Sequence, residues 1–402
     1  MIAHRLLVVG TVGLCGALAF SATQACSASS EGDDGTGGTG ASASGSSSGD
    51  GGMTLDGGTS DASGGACAAD TYPGELVPLD LYVMLDKSAS MQDSGKWSSV
   101  TTALTQFAQS PDSDKIGVGL QFFPLPPSYA IPGPCNGDPY DPVCGLYGPC
   151  VPIFNVCGGS MSNDSCDPID YDEPDMPITE LPPAEPTFTA KINGASPDGD
   201  STPSQPAMEG AVVYATSWAQ ANPSHLTFIV FATDGDPTNC TYNSIQGTAD
   251  AAQQAAGGNP PVKTFVIGVG SELGALNQVA QAGGTNQAYL VDTNQNVTQQ
   301  FIDALNEIRA MGLCKFQIPV PQEGTPDYDK VNVSLVDPND PDNYVVVGQV
   351  DNASSCHPQD GGWYYDDPYD PKMIVLCPAT CDEVMLSDWD VSVLLGCQTV
   401  LL

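Results

Sequence analysis

Leu81-Tyr82-Val83-Met84-Leu85-Asp86-Lys87-Ser88-Ala89-Ser90-Met91 decides how the rest of this chain is read. A short run of large apolar residues ends on a carboxylate, and two hydroxyls follow at alternate positions. Such a run reads as a strand buried on both faces. Its polar end matters because open α/β sheets bind ligands outside the carboxyl ends of their strands. Working outward, apolar runs of strand length recur at 79–85, 116–123, 226–232, 262–269 and, more weakly, 288–291. Stretches of helix-like composition lie between them at 96–109, 203–220, 244–256, 273–282 and 297–311. Buried strands alternating with helices predict an α/β unit with a mostly parallel central sheet flanked by helices.

Two further polar motifs fall at the ends of this framework. Ser201-Thr202-Pro203 opens the helix that runs through Ala207 and Gly210, and Thr233-Asp234-Gly235 closes the strand at 226–232. Taken singly, the first motif is an ordinary helix cap and the last an ordinary turn. Together and in this order they resemble the metal-ion-dependent adhesion site of von Willebrand factor A domains, over roughly 79–311. The resemblance implies a Rossmann-like A domain with a divalent cation held by Asp86, Ser88, Ser90, Thr202 and Asp234. In that family the first Asp organises the site, the two Ser ligate directly, and the Thr and second Asp contribute directly or through water. An acidic side chain of a protein or cell-surface partner then takes the open position. Hydroxyl and carboxylate oxygens suit hard cations, with Mg2+ expected first and Mn2+ or Ca2+ as alternatives. Lys87 departs from the family by placing a cation inside the first loop, where a solvent-facing side chain is the simplest expectation. Asp200 and Asp236 add acid beside the second and third loops, either strengthening the hold on an ion or solvating the loop.

Ten Lys+Arg against 48 Asp+Glu leave a formal net charge of −38. A field of that sign repels phosphate backbones and anionic lipid, which excludes nucleic acid and a basic membrane contact as partners. Residues 1–25 carry an apolar core and small residues, the pattern of a secretory signal. Ala25-Cys26 resembles a bacterial lipoprotein signal, which implies lipidation of Cys26 and membrane contact only through that anchor. Ordinary cleavage near Ala22 or Ala25 is the alternative. Ser27 after the lipid site, in place of Asp, favours the outer membrane by analogy with such lipoproteins, so the expected location is an exported outer-membrane lipoprotein or the cell surface. Residues 26–66 are rich in Ser, Gly, Ala, Thr and Asp and read as a flexible linker.

The A domain is expected over 67–314, interrupted at about 124–186 by an insert rich in Pro, Asp and Gly that carries Cys135, Cys144, Cys150, Cys157 and Cys166. A small disulfide-rich β domain follows over 315–402, with strand-like runs at 316–320, 330–336, 344–350, 363–365, 373–376 and 389–395. Without Cys15 in the signal and Cys26, the 14 cysteines reduce to an even number, which in an exported chain favours disulfides over metal thiolates. The five insert cysteines need an outside partner, and Cys240 is the available one. The family resemblance implies a Cys67–Cys314 clasp across the ends of the A domain; other pairings satisfy parity equally. Cys377, Cys381 and His357 could hold zinc, but disulfides are the better account. The acidic run at 337–342 could bind Ca2+ but reads as a polar turn. Neither His225 nor His357 sits in a nucleophile motif, so no enzyme is expected. The expected function is metal-dependent binding of a protein or surface ligand, with a structural envelope scaffold or a secreted hydrolase as alternatives.

Overall fold

The computed structural model describes residues 54–55, 67–68 and 70–402, except 130–132, 271–272, 322–323 and 388. The signal segment and Cys26 lie outside the described residues. Leu79–Asp86 is buried at every position because it sits inside a six-stranded sheet. From one edge the order is Tyr289–Val291, Lys263–Val269, Leu226–Thr233, Leu79–Asp86, Gly117–Phe123 and Met176–Glu180. The first five run parallel and the last antiparallel. Six helices connect and cover them: α1 (Lys96–Gln109), α2 (Glu185–Gly194), α3 (Ser204–Ala221), α4 (Ile245–Ala256), α5 (Leu276–Ala282) and α6 (Val297–Leu313). Alternation along a strand sends successive side chains to opposite faces. Leu79, Leu81, Val83 and Leu85 therefore pack under α1, α2 and α6, while Tyr82 and Met84 pack under α3, α4 and α5. The sequence-based strands and helices of this unit are all present within a few residues.

The segment at 124–186 divides differently from its expected boundaries. Its last part belongs to the main fold, with Met176–Glu180 as the antiparallel edge strand and α2 starting at Glu185. Pro177 and Pro182 disguised it, yet an edge strand is where Pro is tolerated. The remainder is a cross-linked lobe with 3-10 turns and a two-residue ladder between Cys150–Val151 and Val156–Cys157. Cys135–Cys150 and Cys144–Cys157 staple it internally, and Cys166–Cys240 ties it to the main fold through the outside partner expected for the insert.

The lobe is also seated on α3. Tyr171 is fully buried, its hydroxyl donates to the Ser165 carbonyl at 2.8 Å, and its backbone crosses α3 at Gly210. A Cβ on Gly210 would lie 2.6 Å from the Tyr171 carbonyl carbon and 2.8 Å from the Pro168 oxygen, backbone atoms that cannot swing aside. Gly210→Ala is therefore expected to destabilise the protein by about 1–3 kcal/mol through overpacking, despite the better helix propensity of Ala. A denaturant midpoint equal to that of the wild type would show that the lobe does not depend on this crossing.

Beyond α6 the chain forms two small antiparallel sheets. Lys315–Gln317, Met373–Leu376 and Trp363–Tyr365 make one. Asp340–Val347, Val331–Asp337, Asp390–Leu395 and Asp70–Pro73 make the other, in that order. Trp363, Val333, Ile374 and Val393 fill their shared core. An additional helix, α7 (Pro378–Leu386), was not anticipated; Pro378 occupies its first turn. The acidic run at 337–342 forms the hairpin turn, with Asp337 Oδ1 accepting from the Asn339 amide at 2.8 Å.

The expected division at residue 314 is corrected in one respect, since Asp70–Pro73 pairs with Asp390–Leu395 rather than with the six-stranded sheet. The implied Cys67–Cys314 clasp is also corrected: Cys314 bonds to Cys381. The reason is long-range strand pairing. Cys314 caps α6 and leads directly into Lys315–Gln317, whose partner strand Met373–Leu376 feeds α7 and delivers Cys381 overhead. Cys377 pairs with Cys356 and Cys381 with Cys314, so neither thiol of the zinc site considered above is free to ligate.

Candidate metal centre

Three loops meet at the carboxyl ends of the parallel strands. Asp86 ends its strand fully buried, with Oδ1 accepting from the Ser88 amide at 2.7 Å and Oδ2 from the Thr233 hydroxyl at 2.6 Å. Burial pushes its carboxyl up to about 6, the neighbouring Asp234 adds to this, and the hydrogen bonds from Thr233 and Ser88 oppose it. Above Asp86 the Ser88 and Ser90 hydroxyl oxygens stand 3.1 Å apart, and the Ser90 hydroxyl donates to Asp234 Oδ1 at 2.8 Å. Octahedral oxygens about a small hard cation are separated by about 3.0 Å along each edge, given metal–oxygen distances near 2.1 Å. The spacing of Ser88, Ser90 and Asp234 fits that ion, as does a donor set without sulfur or imidazole.

The second loop is drawn in by backbone pairing. The Ala89 amide donates to the Gly199 carbonyl at 2.8 Å and the Gly199 amide to the Lys87 carbonyl at 3.2 Å. This approach requires glycine, because a Cβ on Gly199 would lie 2.0 Å from Pro124 Cγ. Thr202 follows, buried, with its amide donating to the Thr238 hydroxyl at 2.8 Å and its carbonyl accepting from Asn243 Nδ2 at 3.0 Å. Its own hydroxyl faces Gly235, next to Asp234: a Cβ at Gly235 would lie 3.7 Å from Thr202 Oγ1. All five expected positions are thus gathered by one set of loops, with Ser88, Ser90 and Asp234 in a direct chain and Asp86 beneath them.

The charged surroundings differ from expectation. Lys87 neither faces solvent freely nor enters the site; its ammonium pairs with Asp198 at 2.5 Å. Asp200 and Asp236 are exposed. The cation that does reach the site is Lys96, whose Nζ lies 2.7 Å from Asp234 Oδ2. Sequence reasoning missed it because Lys96 opens a helix and nothing in the spacing aims it inward. Thr233, Thr238 and Asn243 were likewise not singled out, although they hold Asp86 and Thr202 in place. Asp164 of the lobe completes the surroundings, accepting from the Ser201 hydroxyl at 2.7 Å with its carboxyl raised chiefly by burial. The lobe is bound to the third loop as well, through Cys166–Cys240, Asn239 Nδ2 to Ser162 Oγ at 2.6 Å, and the Thr241 amide to the Leu146 carbonyl at 2.9 Å.

No family model matches the chain, and no curated protein matches it. Among solved structures, proximal thread matrix protein 1 from the mussel byssus shares 14% identity at a TM-score of 0.38, over 61% of this chain and 51% of its own. The manganese-loaded TRAP protein of Plasmodium vivax shares 14% identity at 0.33, over 58% and 78% respectively. The human COPII-coat protein Sec24c shares 10% at 0.35, over 83% and 42%. The chain spans about half the length of the mussel protein it matches. Superpositions this partial bear on neither the site nor its chemistry.

Proposed function

We propose that this chain is a binding protein that holds a divalent cation through Asp86, Ser88, Ser90, Thr202 and Asp234 and, through it, an acidic side chain of a protein or surface partner. The observation that carries the reading is the line of oxygens from Ser88 through Ser90 to Asp234, spaced at 3.1 and 2.8 Å above a buried carboxylate. The resemblance to von Willebrand factor A domains supports it independently through the order of the motifs. Mg2+ is the first candidate, then Mn2+ or Ca2+. With the ion in place, Ser88, Ser90 and Thr202 supply neutral oxygens while Asp86 and Asp234 supply the charge. Residual positive charge then attracts a carboxylate. The lobe fixed beside the third loop exposes Tyr140, Ile153 and Phe154, apolar area suited to recognising more than a carboxylate.

The same reading places the protein outside the cytoplasm, anchored by lipid at Cys26 on the outer membrane or cell surface. Support for export is the disulfide bonding of every cysteine from Cys135 to Cys397, which belongs to an oxidising compartment, while the anchor rests on the resemblance of Ala25-Cys26 to a lipoprotein signal. Among the described residues, no helix is long and apolar enough to cross a membrane.

Calorimetric titration of the full chain with Mg2+, Mn2+ and Ca2+ is expected to show one site that Asp234→Ala abolishes. Capture of surface partners should then depend on the cation and disappear with a chelator. One observation favours a second reading, a scaffold whose A-type domain exchanges no ligand: Lys96 already neutralises Asp234 from within. Absence of heat with all three cations, and a full wild-type phenotype for Asp86→Ala, would decide for the scaffold.

A further inference from the structure

Lys96 is in a position that helix formation does not explain. It is the first residue of α1, where the helix dipole disfavours a cation. The chain reaches it through two successive left-handed residues, Ser94 at φ 54° and Gly95 at φ 69°, after an extended Asp93. A non-glycine residue in that region is held there by its surroundings. The consequence of this kink is the position of the ammonium. Lys96 Nζ sits 2.7 Å from Asp234 Oδ2, with the Lys96 side chain 15% exposed and that of Asp234 0% exposed.

The other oxygen of the same carboxylate is also engaged, since Oδ1 accepts from the Ser90 hydroxyl at 2.8 Å. Both oxygens that a divalent cation would use at Asp234 are therefore satisfied by internal donors. Lys87, the other lysine of these loops, is turned away to Asp198 and cannot replace it. Asp86 and Asp234 bring two carboxylates to the centre, and one ammonium is already seated among them.

We propose that Lys96 is an intramolecular competitor for the cation: its ammonium closes the site in the metal-free chain, and loading displaces it from Asp234, so that Lys96 sets the cation concentration at which the site fills. This rests on the metal-binding reading above and adds what governs occupancy. An intramolecular competitor couples to its rival reciprocally. Whatever affinity the ion loses to Lys96, Lys96 loses to the ion.

The test uses the full chain, with Mn2+ as the probe, and compares wild type with Lys96→Met, which keeps the apolar stem and removes the charge. Lys96→Met is expected to bind Mn2+ about tenfold more tightly or better, the scale of ordinary coupling between sites. In the wild type, amine acetylation mapped by mass spectrometry should increase at Lys96 when Mn2+ is added, because the freed ammonium becomes reachable. This second measurement stands even if Lys96→Met fails to fold. Equal or weaker Mn2+ binding by a folded Lys96→Met, or unchanged acetylation of Lys96 in Mn2+-saturated wild type, overturns the competitor and leaves metal binding intact. Silence of both proteins toward Mn2+ overturns the metal reading and this inference with it.

Discussion

With a chelator present, the protein is expected to lose stability as the pH rises through about 6, and Asp86→Asn is expected to lose that dependence. The folded chain raises the Asp86 carboxyl from 3.8 to about 6, mainly by burial. A group whose folded value is raised contributes stability that is complete below its unfolded value and lost as the pH climbs through the folded one. The relevant window is therefore about pH 4 to 6, and the loss accumulated across it is about 3 kcal/mol. Asn keeps the shape, can accept from the Ser88 amide and can donate to the Thr233 hydroxyl, so both hydrogen bonds of the site survive in altered polarity. Denaturant midpoints of wild type and variant should meet near pH 4 and separate in favour of the variant above pH 6. Saturating Mg2+ should reverse that order, since an ion that binds only the folded, ionised site stabilises it by mass action. Parallel curves across the whole range would mean that Asp86 is not carrying an unsatisfied charge in the chelated chain.

The second large effect is expected at Cys166–Cys240. This bridge closes a loop of 74 residues between the lobe and the third loop of the candidate site, whereas Cys135–Cys150 and Cys144–Cys157 close only 15 and 13. Chain-entropy arguments assign about 4 kcal/mol to a closure of that length. Cys166→Ser with Cys240→Ser should lower stability by an amount of that order. It should also weaken cation binding, because Thr238 and Asn243, which fix Thr202, flank the freed loop. Titration of the double variant against wild type reads the second effect separately. Unchanged affinity with reduced stability would confine the bridge to a structural part.

Both expectations concern residues whose visibility in the sequence differed. The gathering of Asp86, Ser88, Ser90, Thr202 and Asp234 at one end of the sheet was legible because each sits beside a local signal, a buried strand ending or a helix beginning, and because such ends of a parallel sheet share one side of the fold. Leu79–Asp86 and its neighbours were legible for the same reason, as apolar runs too long to be turns and too short for helices. Lys96 was not, since its inward aim is produced by backbone angles at Ser94 and Gly95 that composition does not announce. Met176–Glu180 and α2 were hidden by Pro and acid, which an edge position permits but which argue against a central strand. The Cys314–Cys381 bond was hidden because it follows from strand pairing between residues far apart in sequence.

The pairing of Asp70–Pro73 with Asp390–Leu395 gives the molecule a mechanical character. A pull applied from the N-terminal side enters the small C-terminal sheet before it reaches Leu79–Asp86. Traction is then shared with Val331–Asp337 through Asp390–Leu395, and with the disulfide between Cys314 and Cys381 at the foot of α6. The four-residue edge strand Asp70–Pro73 thus lies on the path between that pull and the candidate loops at the carboxyl ends of the parallel strands. Load applied at that end is therefore carried across the ladder between the two strands as well as along the chain, so the N-terminal approach and the C-terminal sheet bear it as one unit.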